Sequence, residues 1–135
     1  MTKALARIAV IGYGLKLCAV GATGIVLARW ELANIFALDF GGMSQAEQAT
    51  LLNQYRFLKG VELGAGLGCL MFLRAILDGG RATRWFLALA AGGILARSIA
   101  WIVDGRPHWA FLGFLALEAL VVALTLPLLR KSAHG

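Results

Sequence analysis

Four stretches of the chain, Ala4–Ala28, Tyr55–Leu77, Trp85–Val103 and Trp109–Leu129, are each apolar over about 20 residues, which is what crossing a hydrocarbon core roughly 30 Å thick requires. Lipid cannot satisfy backbone N–H and C=O groups, so segments of this kind must be helices. The expected fold class is therefore all-α: an integral membrane bundle of four transmembrane helices forming one domain over residues 1–135. Composition agrees, since 60% of the residues are hydrophobic, against about 45–50% in soluble domains.

The net charge of +6 does not point to nucleic acid, because the basic residues form no single stripe or tail. They mark topology. Lys3 and Arg7 open the first span, Arg74, Arg81 and Arg84 surround the second connection, and Arg130 and Lys131 follow the last span. The positive-inside rule then puts both termini in the cytoplasm and the first and third connections outside, the arrangement of a multi-pass membrane protein. Lys3, Arg7 and the apolar residues after them resemble a signal peptide, but Lys16 interrupts the apolar region, so the segment is read as an uncleaved first span.

Local signals place the turns. The first external connection, Arg29 to about Gln54, mixes Trp30, Ile35, Phe36, Leu38 and Phe40 with Glu31, Asp39 and Glu47, so it should hold an interfacial helix or fold back over the mouth of the bundle. Ser44-Gln-Ala-Glu47 reads as a capping box that starts a helix. Run unbroken to Leu77, that helix would be about 50 Å long, so it should protrude or bend near Asn53. Asp78-Gly-Gly-Arg-Ala-Thr83 is a short turn with Thr83 as a candidate cap. In Asp104-Gly-Arg-Pro107, Gly105 permits a positive backbone angle and Pro107 suits the first turn of the next helix. Gly60, Gly64 and Gly68 share one face of the second span, where another backbone can approach; packing within the bundle is favoured over a homodimer seam. Gly12, Gly14, Gly21 and Gly24 are spaced less regularly. Trp101 and Trp109 are expected to anchor the external interface.

Lys16, Glu62, Arg97 and Glu118 lie inside the spans, and a charge at the bilayer centre is costly, about 2.5–3.5 kcal/mol even on the lenient insertion scale. They should face inward. Measured from the external ends, Glu62, Arg97 and Glu118 fall at roughly 10, 9 and 13 Å, a shared layer, with Lys16 deeper at about 18 Å. Residues seven apart return to nearly one helical face, which aligns Tyr55 with Glu62, with Lys59 close by, then Arg97 with Asp104, and Phe111 with Glu118 and Thr125. The expected site is a Glu62–Arg97–Glu118 cluster, one guanidinium bridging two carboxylates, below a polar mouth of Asn53, Arg56, Lys59, Asp104 and Arg106. Such a cluster can fix helix register, or it can bind a ligand or a proton.

Other chemistry is thin. Cys18 and Cys69 fall inside spans and suit packing. His108 and His134 lack metal-ligand spacing, and no histidine base stands near Ser44, Ser98 or Ser132 in sequence, so no catalytic residue, metal site or cofactor is assigned. The expected partners are membrane lipid and either a hydrophobic small molecule or another membrane protein.

Asn53-Gln-Tyr-Arg-Phe, Gly60-Val-Glu62-Leu-Gly64, Arg97 followed by Asp104-Gly-Arg-Pro107, and Glu118 together resemble a bacterial family of four-helix membrane proteins catalogued as domain of unknown function 4345. The Asp-Gly-x-Pro turn after an intramembrane arginine is the most specific part. Glu62-Leu-Gly-Ala-Gly also looks like the second span of DoxX-like membrane proteins. The resemblance runs from about Asn53 to the C-terminal end and less clearly through the first span. It implies the topology and the choice of polar residues, and it brings no reaction with it. The function expected from residues and resemblance together is a small membrane binding or accessory subunit with its polar cluster open to the outside. The alternatives are a small proton-coupled carrier using the same carboxylates and, further off, a lipid- or quinone-modifying enzyme.

Overall fold

A computed structural model describes residues 2–131; Ser132 and His134 lie outside the described residues. All of its regular structure is helical. The elements are α1 (Thr2–Val26), α2 (Ala28–Asn34), α3 (Gln45–Met71), α4 (Leu73–Leu77), α5 (Arg81–Asp104), α6 (Trp109–Thr125) and α7 (Pro127–Lys131). Three stretches, Lys3–Val26, Arg81–Asp104 and Trp109–Leu129, are long and apolar enough to cross a membrane, which makes this a multi-pass membrane protein. α3 is not among them: Arg56, Lys59 and Glu62 follow one another within two turns of it.

The chain divides into two compact units, one holding the residues up to Gly14 with those from Gly68 onward, the other Leu15–Leu67. In the first unit, Ala6, Leu77 and Leu128 form a buried cluster with Leu73 against it. Tyr13 meets Phe86 edge to face at 6.0 Å. α5 and α6 pack as an antiparallel hairpin, joined through Gly105, whose φ of +93° is a conformation that favours glycine. Pro107 does not open the helical turn as expected. It precedes the N-cap His108, whose Nδ1 accepts from the Ala110 amide at 3.4 Å, and α6 begins at Trp109.

Two further expectations, Thr83 as a cap and a bend near Asn53, are corrected. Thr83 does not cap α5, whose N-cap is Gly80: it is fully buried in the first turn of α5, and its hydroxyl donates to the Ile76 carbonyl at 2.6 Å, tying α5 to α4. The long helix stays continuous through Asn53 and breaks at Phe72, where φ −98° and ψ 17° separate α3 from α4. Neither Gly nor Pro stands at that break, so composition could not mark it. Cys69 is buried and Cys18 half-buried, and neither forms a disulfide.

In the second unit, Ala28, Glu31 and Leu32 of α2 are buried, so this segment folds against its own unit on one face while Trp30 stays exposed. The Arg29 guanidinium lies 4.7 Å over the Phe40 ring, and Gln48 donates to the carbonyls of Phe40 and Met43 at 3.0 Å each. The capping box forms: the Glu47 amide donates to the Ser44 hydroxyl at 3.3 Å and the Ser44 amide to the Glu47 carboxylate at 2.7 Å. The Ser44 side chain and then its amide hold the Glu47 carboxyl below the usual carboxylate value, because both hydrogen bonds favour the ionised form.

The glycine contact lies elsewhere than expected. A Cβ on Gly60, Gly64 or Gly68 would meet no atom within 4 Å, whereas one on Gly21 would lie 2.6 Å from the Leu63 nitrogen and 2.7 Å from the Lys59 carbonyl oxygen. The close helix–helix approach is thus made by the less regular glycines of α1. Gly24 continues it, giving up the space that the Lys59 stem fills.

Candidate functional site: two buried ion networks

Placing Lys59 on that glycine surface changes what the residue can be. It is 5% exposed, so it belongs to the interior and not to the polar mouth. A buried ammonium needs partners. One turn along α3, the Glu62 carboxylate accepts from it at 2.8 Å, and one turn back the Tyr55 ring lies with its centroid 5.2 Å from Nζ. The Tyr55 hydroxyl donates in turn to the buried Glu31 carboxylate of α2 at 2.7 Å. Glu31, Tyr55, Lys59 and Glu62 thus form one continuous chain in which two carboxylates flank one ammonium. Arg56, exposed beside it, donates from Nε to the Ile25 carbonyl at 3.1 Å, satisfying an orphan carbonyl of the last turn of α1. Asn53 is exposed.

The first unit carries the other network. Arg97 on α5 donates from Nε to Glu118 on α6 at 3.2 Å, with the arginine side chain 23% exposed and the glutamate 4%. Gly93, one turn before Arg97, makes room for this carboxylate: a Cβ there would lie 3.1 Å from its Oε2. The guanidinium carbon sits 5.7 Å from the Phe111 centroid and 5.5 Å from the Phe114 centroid, the two rings meeting edge to face at 6.4 Å. Glu118 lies on the buried face of α6 with Val121 and Thr125. Among the described residues no acceptor meets the terminal Nη groups of Arg97, so its planar fork keeps donors beyond the Nε contact. Asp104 and Arg106, at the turn beyond, are exposed.

One guanidinium bridging Glu62 and Glu118 was the sequence expectation; in the structure each carboxylate has its own cation, Lys59 for Glu62 and Arg97 for Glu118. The i,i+3 spacing of Lys59 and Glu62 settles the first pair, since such residues are neighbours on a helix surface. Sequence reading did not single out Glu31 or Gly93 for this chemistry. Among the described residues no group of three His, Cys, Asp or Glu is placed to hold a metal ion.

Residues 5–129 match the family described as Domain of unknown function (DUF4345). No curated protein and no solved structure matches the chain.

Proposed function

The chain belongs to the DUF4345 family, and from the geometry of its buried charges we propose that it is a small membrane binding or accessory subunit whose ligand docks on Arg97. The observation that carries this is the single Nε contact from Arg97 to Glu118. A purely structural pair gains most from a bidentate fork; here the carboxylate orients the guanidinium, two phenylalanines lie around it, and the Nη edge is left to a polar or anionic group on an otherwise apolar molecule. Intramembrane ionisable residues commonly serve such sites.

The proposal includes four spans, with the second half of α3 and α4 as the second. Pairing Lys59 with Glu62 supports this, because a neutralised pair makes α3 cheaper to insert than its composition suggests. The basic residues at the start of α1, around the α4–α5 turn and after α6 support cytoplasmic termini in a bacterial inner membrane. That orientation turns the C-terminal end of α5, two turns beyond Arg97, to the outside.

Phe111→Cys, made with Cys18 and Cys69 replaced by alanine, tests the reading. A membrane-impermeant thiol reagent added outside intact cells is expected to label it; labelling only after permeabilisation would sink the external opening. A second reading, a proton-coupled carrier, is favoured by the two carboxylates set against one ammonium in the Glu31–Tyr55–Lys59–Glu62 chain, since intramembrane ionisable residues commonly line proton pathways. A pH-driven solute flux in liposomes that Glu62→Gln abolishes would move the assignment to that reading.

A further inference from the structure

The first two turns of α5 carry a feature that the Arg97 site does not use. Arg81, Arg84, Trp85 and Ala88, at i, i+3, i+4 and i+7, line an open cleft of about 280 Å³. Both arginines are exposed, and among the described residues neither has an ion pair. The acid nearest to them in sequence, Asp78, pairs with Lys3 at 3.3 Å, and among the described residues Arg74, Arg81 and Arg84 have no ion pair. Trp85 is 77% exposed, at the end of a helix long and apolar enough to span a membrane.

From that cleft an unbroken apolar stripe runs along the same helix. Trp85, Ala88, Gly92, Leu95, Ile99 and Ile102 alternate in steps of three and four, which keeps them on one face, and all six are exposed. The stripe is about 26 Å long at 1.5 Å per residue. Cationic at one end, aromatic at the boundary and apolar beyond, this face matches the polarity of one kind of molecule. We propose that it binds an anionic phospholipid, with the headgroup phosphate between Arg81 and Arg84, the Trp85 indole at the level of the glycerol esters, and the acyl chains along Ala88, Gly92 and Leu95, the part of the stripe within the roughly 15 Å depth of one leaflet. Guanidinium groups suit phosphate oxygens, tryptophan favours the headgroup boundary, and basic sites at the ends of membrane helices recognise anionic headgroups. The apolar stripe selects a phospholipid over a free phosphate, which would use the cleft alone.

The test uses the full-length protein in detergent micelles, titrated with phosphatidylglycerol, phosphatidylcholine or inorganic phosphate and read by native mass spectrometry. The wild type is expected to retain phosphatidylglycerol in preference to phosphatidylcholine. Arg81→Gln/Arg84→Gln should reduce that preference roughly tenfold to thirtyfold, and Arg81→Lys/Arg84→Lys should keep most of it. Leu95→Gln should weaken phosphatidylglycerol retention with both arginines in place. Equal retention in wild type and the double glutamine variant would overturn the proposal, as would complete displacement of the lipid by inorganic phosphate. Because these residues are exposed, unchanged melting of the variants separates lost binding from lost folding.

Discussion

Arg97→Leu is expected to destabilise the folded protein by about 3 kcal/mol, the lower end of the range for removing one partner of a buried ion pair. The lower end applies because the arginine side chain is 23% exposed while Glu118 is 4% exposed, so some water or lipid headgroup can reach the site. The loss comes from the glutamate left behind: its carboxylate is packed toward Gly93 of α5, and among the described residues Arg97 is its one cationic partner. Removing both charges together should therefore restore most of the stability, since a well-packed apolar pair often equals or exceeds a buried ion pair. Unfolding of the two singles and of Arg97→Leu/Glu118→Leu in micelles measures this coupling. Additive losses would show that the two side chains do not depend on one another.

Gly21→Ala carries the second large effect. The added methyl would meet the Leu63 nitrogen at 2.6 Å, the Lys59 oxygen at 2.7 Å and the Leu63 Cα at 2.8 Å, all backbone atoms, so no side-chain rotation relieves it and α1 and α3 must separate. Overpacking of this kind costs about 1–3 kcal/mol. It should also disturb Lys59, whose stem lies against Gly24 one turn on, and with it the contacts to Glu62 and Tyr55. Gly64→Ala is the control: nothing lies within 4 Å of its Cβ position, so the exchange should be neutral or gain up to about 1 kcal/mol from helix propensity. Thermal unfolding of the two variants side by side decides the matter, and equal melting would remove Gly21 from the helix contact.

The same contrast shows what was readable in the chain. Gly60, Gly64 and Gly68 form the better motif by spacing, yet Gly21 makes the contact, because a small residue permits close approach without specifying which helix will come. Apolar runs gave the helices, and the Ser44–Glu47 spacing gave the start of α3, since both signals are local. The break at Phe72 and the folding-in of α2 depend on packing between distant residues. Depth along the helices puts Arg97 and Glu118 in one layer, and the structure pairs them at 3.2 Å. Glu31 was beyond reach: its partner Tyr55 is 24 residues away, and only the fold of the intervening connection brings the hydroxyl to the carboxylate. Lys59 looked like a surface residue because a lysine can send its ammonium to water. Gly24, by leaving space for the stem, let it stay inside.

The open Nη edge of Arg97 is the ligand seat on which the proposed function turns. Native mass spectrometry of the chain released directly from its own membranes, wild type against Arg97→Lys, tests this. The lysine keeps the charge beside Glu118 but loses the planar fork. The prediction is a non-covalent adduct on the wild type that is depleted in Arg97→Lys, while phospholipid adducts stay equal in the two. An identical adduct profile in both proteins, with both folded, would contradict it.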